Sequence, residues 1–161
     1  MRLSKTSWLA GSPPRYRRDM RSLSDSEVKA FLLEGTRTAK LSVVRKDGSP
    51  FVTPVWFLLD DDGSVVFETE RRSLKGRALA RDPRVSLCVE DDRPPFGFVR
   101  LDGVAEISEE YPEVLAWTTR IAARYMGPER AEEIGSLNAG EGHALIRVRV
   151  QRVVAQVELA G

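Results

Sequence analysis

The run Thr53-Pro54-Val55-Trp56-Phe57 leads through Asp61-Asp62-Gly63 into Val65-Val66-Phe67, then to Thr69, Ser73 and Lys75, and on to Arg81-Asp82-Pro83-Arg84-Val85. Two apolar, β-favouring runs on either side of an Asp-Asp-Gly turn read as paired strands. Thr69, Ser73 and Lys75 then fall where the second strand ends and a helix begins. The free N–H groups of a first helical turn point outward, and hydroxyls and cations beside them add donors and charge. Such a junction can hold a phosphate, so the expectation is a phosphorylated cofactor lying across the Pro54 strand.

Upstream, Ser24 and Glu27 form a capping-box pair with Leu23 and Val28 placed as its hydrophobic staple. Val28, Phe31 and Leu32 make an apolar helical stripe that Gly35 ends. Thr38 to Arg45 alternates into a strand, Lys46-Asp47-Gly48-Ser49 is a hairpin turn, and Pro50 to Leu59 forms the next strand. Pro54 cannot donate a ladder bond, so that point is an edge or a bulge. Asp60 to Gly63 turns into a third strand, Ser64 to Thr69, and a short helix is expected from Leu74 to Ala80 before Asp82-Pro83 stops it.

Val85, Leu87 and Val89 mark a fourth strand, with Cys88 on the opposite face, and Phe96 to Ile107 marks a fifth. Tyr111 to Met126 reads as a helix with Val114, Trp117, Ile121 and Tyr125 on one face, and Pro128 to Ile134 begins another. The last strand alternates at Ile146, Val148 and Val150, then changes phase to Val153, Ala155 and Val157. A bulge at Gln151-Arg152 produces that change. The fold expected is mainly β with flanking helices, an antiparallel barrel of six strands.

With 161 residues the chain is long enough for one domain with a sizeable core. A net charge of +1 argues against nucleic-acid binding by bulk electrostatics. The charge is uneven: Arg2, Lys5, Arg15, Arg17, Arg18 and Arg21 stand against Asp19 alone within residues 1–22. That stretch has no periodicity and reads as a flexible basic arm, followed by a cofactor-binding domain over 23–161. One cysteine excludes an internal disulfide and fits a reducing cytosol. Trp8-Leu9-Ala10 is too short for a signal-peptide core and no run is long enough to span a bilayer, so a cytoplasmic protein without membrane partners is expected.

From about Ser24 to Val157 the chain resembles the flavin-binding split β-barrel family typified by pyridoxamine 5′-phosphate oxidase. The resemblance rests on Gly48-Ser49-Pro50, Pro54-Val55-Trp56-Phe57, Thr69, Ser73, Lys75, Leu79, Asp82-Pro83-Arg84-Val85-Ser86-Leu87 and Leu145-Ile146-Arg147-Val148. It implies a homodimer with two cofactor sites at the subunit interface. It also implies that Thr69, Ser73 and Lys75 take the cofactor phosphate while the backbone of Thr53, Pro54, Val55 and Trp56 lies along the tricyclic ring. The Arg-x-His ending by which the oxidase holds pyridoxamine phosphate has no match in Arg147 to Gly161, which argues against that substrate.

The wording Lys75-Gly76-Arg77-Ala78-Leu79-Ala80-Arg81-Asp82-Pro83-Arg84 is similar to the branch that binds a deazaflavin, coenzyme F420. Arg71, Arg72, Arg77 and Arg81 are then placed to meet the carboxylates of its oligoglutamate tail. A deazaflavin has carbon where a flavin has its redox nitrogen, so it transfers hydride and reacts poorly with oxygen. The protein supplies positioning and electrostatics.

Each of these residues also has a plainer reading. Lys75 and its arginine neighbours can be a solvated face, Ser73 a helix N-cap, Thr69 a strand-end residue, Pro54 an edge guard and Trp56 a core or interface side chain. His143, the only histidine, has Glu141 as its one close acid in sequence, which is no recognisable dyad partner. No general acid stands out; Tyr111, Tyr125 and solvent are all open. No metal-ligand cluster, Ser-His-Asp order or nucleotide-binding glycine fingerprint is present. Three classes remain: an F420-dependent oxidoreductase acting on an unsaturated small molecule, an FMN enzyme on the same scaffold, and a non-catalytic flavin- or haem-binding module.

Overall fold

Ser24 accepts the Glu27 N–H on its hydroxyl while the Glu27 carboxylate takes the Ser24 N–H at 2.8 Å. This reciprocal cap starts α1 (Asp25–Leu33) in the computed structural model, which describes residues 23–159. The basic arm expected over 1–22 lies outside the described residues. Gly35 leaves α1 with a φ of +55°, in the left-handed region that favours glycine.

The strands β1 (Ala39–Val44) and β2 (Pro50–Val55) form the expected hairpin. The Asp47 carboxylate takes the Ser49 N–H at 3.0 Å and its hydroxyl at 2.6 Å, so the turn is held by its own side chains. Beyond Val55 the structure departs from the expectation of one strand reaching Leu59. The ladder stops at Trp56-Phe57, and β3 (Leu58–Leu59) pairs instead with β4 (Val65–Glu70).

The sheet is therefore seven-stranded and antiparallel, in the order β2-β1-β5-β6-β7-β4-β3, with β5 (Arg84–Asp91), β6 (Gly97–Ser108) and β7 (His143–Val157) at its centre. Its two edges, β2 and β3, are joined by Trp56-Phe57 alone. The sheet must curl until its edges meet there, which makes a barrel with an open seam. Pro54, with no N–H to donate, sits on one of those edges.

Leu41, Val43, Phe67, Leu87, Val89, Val99, Leu101, Ile146 and Val148 fill the barrel, and Phe57 joins them from the seam. The helix α2 (Leu74–Arg81) adds Ala78 and Leu79 to this cluster. Cys88 is half-buried on the face opposite Leu87 and Val89, as the alternation predicts. A second cluster lies outside β4 and β7, where Val66 and Leu145 meet Val114 and Trp117 of α3 (Tyr111–Met126) and Ala139. A 3₁₀ turn (Pro128–Arg130) and α4 (Ala131–Leu137) complete that layer. Among the described residues no helix is long and apolar enough to cross a membrane.

The phase change in β7 is a bulge. Asp102 pairs with Arg152 but Gly103 pairs with Val150, leaving Gln151 over. A Cβ at Gly103 would stand 2.4 Å from the Arg149 carbonyl oxygen, so only glycine permits this approach of the two backbones.

Candidate functional site

Ser73 caps α2, accepting the Gly76 N–H on its hydroxyl at 3.1 Å and the Arg77 N–H on its carbonyl at 3.0 Å. The same hydroxyl donates to the Glu70 carbonyl at 2.7 Å and lies 3.2 Å from the Thr69 hydroxyl. Its single proton is thus already used, and its N-capping role is secure. The first-turn N–H groups of Leu74 and Lys75 have no partner among the described residues. Gly76 lets this turn fold tightly: a Cβ there would stand 2.4 Å from the Glu70 carbonyl oxygen and 2.7 Å from that of Arg71.

The break at Trp56-Phe57 has its cause in α3. Tyr125 accepts the Phe57 N–H on its hydroxyl at 3.3 Å and donates to the Arg37 carbonyl at 2.7 Å. Arg124 donates to the carbonyls of Phe57, Leu32 and Gly35 at 2.7, 3.0 and 3.1 Å. Side chains thus satisfy backbone groups that a strand would have satisfied through its ladder. The Trp56 ring stacks on Tyr125, which fixes its orientation. Burial pushes the Tyr125 phenol up from its usual range and the Arg124 guanidinium down.

Two clefts flank the β4–α2 junction. The inner one, about 200 Å³, is lined by Pro54, Val55 and Trp56, by Glu68 and Lys75, and by Thr118, Ile121 and Asn138. The outer one, about 1100 Å³, is broad and charged, with Thr69, Arg71, Arg72, Gly76 and Arg77 on one side and Ile107, Glu109 and Glu141 on the other. Of the residues expected to hold a cofactor, Pro54, Val55, Trp56 and Lys75 come together in the inner cleft. Thr69 and Arg77 face the outer one, Ser73 forms the junction, and Thr53 lines neither.

Lys75 is half-buried and makes no hydrogen bond or ion pair among the described residues. Arg71, by contrast, pairs with Glu109 at 2.8 Å, and Arg77 donates to the Arg72 carbonyl at 2.6 Å. Arg81 donates to the Val44 carbonyl at 2.9 Å, which turns it toward the hairpin.

One pair of residues was not legible in the sequence. Glu68 on β4 and His143 on β7 meet with Oε1 and Nδ1 2.5 Å apart, although 75 positions separate them. Their strands pair with Glu70 opposite His143 and Glu68 opposite Leu145, so the contact is a diagonal one across the ladder. Burial pushes the Glu68 carboxyl above the usual glutamate range, against the opposing pull of His143 and Lys75. Among the described residues no cluster of His, Cys, Asp and Glu could hold a metal ion.

No curated protein matches the chain. Among solved structures, conserved hypothetical protein Rv2991 from Mycobacterium tuberculosis is similar at 29% identity and a TM-score of 0.76, over 88% of this chain and 89% of that one. A structure described as an F420 reductase is similar at 26% identity and a TM-score of 0.64, over 78% of this chain and 94% of that one. A haem-binding protein from Mycobacterium smegmatis is similar at 27% identity and a TM-score of 0.61, over 84% of this chain and 55% of that one. The family model for pyridoxamine 5′-phosphate oxidase matches residues 24–156, nearly the whole of the barrel and its helices, and the chain belongs to that family.

Proposed function

We propose that the protein is an oxidoreductase that moves a hydride between a deazaflavin, coenzyme F420, and an unsaturated small molecule. The observation that carries this reading is the half-buried Lys75 ammonium without an ion-pair partner, next to the unpaired N–H groups at the start of α2 and facing Pro54 to Trp56. A half-buried ammonium with no salt bridge of its own can pair with an anionic ligand through a charge-assisted contact. The arrangement fits a phosphate at the α2 N-terminus, a planar ring beside the Pro54–Trp56 backbone, and an acidic tail toward Arg72 and Arg77. The similarity to an F420 reductase supports the deazaflavin. FMN, which shares the ring and phosphate but lacks the acidic tail, is the alternative on the same residues.

A homodimer is part of this reading. At about 200 Å³ the inner cleft is smaller than the roughly 300 Å³ at which small-molecule sites begin, so a second copy would complete it. Exposed Val52 on the β2 edge, beside the cleft-lining segment, fits burial by that copy.

Parallel titrations of the full-length protein with F420, FMN and haemin test the proposal. Saturable quenching of deazaflavin fluorescence, with weaker FMN binding and no haem Soret shift, is the expected result. Tight binding of haemin alone would move the protein to the haem-binding members of the fold.

A further inference from the structure

The two ends of the Glu68–His143 pair open onto different clefts. Glu68 lines the inner cleft with Trp56 and Lys75. His143 lines a separate hollow of about 340 Å³, together with Arg71 and Tyr111. Only the 2.5 Å contact between Oε1 and Nδ1 joins them, and the second ring nitrogen, Nε2, has no partner among the described residues. The side chains are 19% and 26% exposed, so both reach solvent and neither is sealed in the core.

We propose that Glu68 and His143 form a proton relay between the two clefts, with Glu68 as the general acid for a substrate in the inner cleft and His143 returning the proton from solvent. The inference rests on the redox reading above and gives that reaction the proton donor it lacks. Reduction of a polarised double bond needs a hydride on one atom and a proton on the other. A reduced deazaflavin bound beside Pro54 to Trp56 would supply the hydride with its electron pair. The Glu68 O–H bond breaks as the proton bonds to the second atom, leaving a carboxylate. His143 passes its Nδ1 proton to that carboxylate as its Nε2 takes one from water, releasing hydroxide to the bulk, and tautomer exchange resets the neutral ring.

The surroundings suit the role. Burial raises the Glu68 carboxyl, which brings its protonated form closer to neutral pH. Lys75 on α2 and His143 on β7 pull the other way, and Glu70 on β4 itself pushes up. The cleft residues of α3 and of the α4 C-cap, Thr118, Ile121 and Asn138, carry no charge. On the His143 side the hollow holds Arg71, Glu109, Tyr111 and Glu141. Tyr125 is a poorer donor, because its hydroxyl is engaged by Arg37 and Phe57.

The test uses the full-length protein, Glu68→Gln and His143→Asn. In the cofactor-free parent, ¹³C titration of the glutamate side-chain carboxyls should show one midpoint above the normal range, absent from Glu68→Gln and raised further in His143→Asn. Both variants should bind F420 within about twofold of the parent. Turnover in Glu68→Gln should fall about a hundredfold or more. In His143→Asn it should fall less and recover when imidazole is added. Turnover of Glu68→Gln within threefold of the parent, with the cofactor bound, overturns the relay and leaves the redox reading standing. A parent that binds neither F420 nor FMN overturns the redox reading, and a normal Glu68 midpoint in that protein then overturns the relay as well.

Discussion

The rings of Trp56 and Tyr125 stack with centroids 5.0 Å apart and planes 2° from parallel. Trp56 belongs to the two-residue link between the sheet's edges, and Tyr125 to the helix outside the barrel, so this contact ties the seam to α3. Offset stacks of this kind add about 0.5–1.5 kcal/mol beyond the area they bury. The same tyrosine holds the Phe57 N–H and the Arg37 carbonyl through its hydroxyl. One side chain thus orients a wall of the inner cleft and secures the chain where its ladder is broken.

Tyr125→Phe keeps the stack and removes the hydroxyl. Two backbone groups lose their partner in a partly buried setting, which costs about 1–3 kcal/mol. Urea denaturation should show this loss with an unchanged m-value, while the fold and the Trp56 stack persist. A change below about 0.3 kcal/mol would mean that water replaces the hydroxyl without cost.

Gly76→Ala tests the tight turn under the candidate phosphate site. The new Cβ would stand 2.4 Å from one backbone carbonyl oxygen and 2.7 Å from another, and backbone cannot swing aside as a side chain can. The β4–α2 junction must shift, at a cost of about 1–3 kcal/mol by analogy with overpacking. Cofactor affinity should fall with it, because the shift moves the N–H groups of Leu74 and Lys75. Thermal melts and a parallel F420 titration separate the two effects.

Much of this architecture could be read from local patterns. Val114, Trp117, Ile121 and Tyr125 recur at helical spacing, and α3 runs over Tyr111–Met126 as that spacing predicts. The switch from Val150 to Val153 gave away the bulge, because alternation reports directly on which face a residue occupies. The break after Val55 could not be seen that way. Its cause is Tyr125 and Arg124, 68 and 67 positions further on, and the strand looks continuous without them. The Glu68–His143 contact is hidden for the same reason, since it exists only through the register of β4 against β7. Wording around Lys75 pointed to the α2 junction, but Thr69 and Arg77 face a different cleft, because a turn separates side chains that are neighbours in sequence.

Asp82 gives a pH prediction with a definite sign. Hydrogen bonds from the Arg84 side chain and backbone lower its carboxyl from 3.8 to about 2. A lowered folded-state value stabilises the protein above the unfolded value, and that contribution is lost as pH falls toward the folded one. Asp82→Asn should therefore destabilise the protein most above pH 4 and hardly at all near pH 2. Denaturation midpoints of both proteins across that range should converge on acidification, and parallel curves would exclude this linkage.

Val52 tests the homodimer. It is 60% exposed on the β2 edge, and in a monomer an aspartate there should change stability by no more than about 0.5 kcal/mol. If a second copy covers β2, Val52→Asp buries an unpaired charge in the interface and should dissociate it. Light scattering should give a dimer for the parent and a monomer for the variant. A monomeric parent at micromolar concentration removes the basis for an interface site.

Lys75 separates a phosphate site from a merely solvated basic turn most sharply. Its ammonium makes no ion pair among the described residues, so Lys75→Ala breaks no salt bridge there and should leave stability nearly unchanged. Removing it also takes a positive charge away from Glu68, whose carboxyl should then rise further, because the lysine is one of the groups holding it down. If the ammonium contacts the cofactor phosphate, one charge-assisted bond worth about 1.5–3 kcal/mol is lost. Cofactor dissociation constants should then weaken by roughly ten- to hundredfold. A fragment lacking the phosphate should lose much less. Lys46→Ala, in the β1–β2 turn away from the inner cleft, serves as the control and should bind as the parent does. Equal affinity of both variants for F420 and for FMN would place the phosphate elsewhere, with the arginines of the outer cleft the next residues to remove.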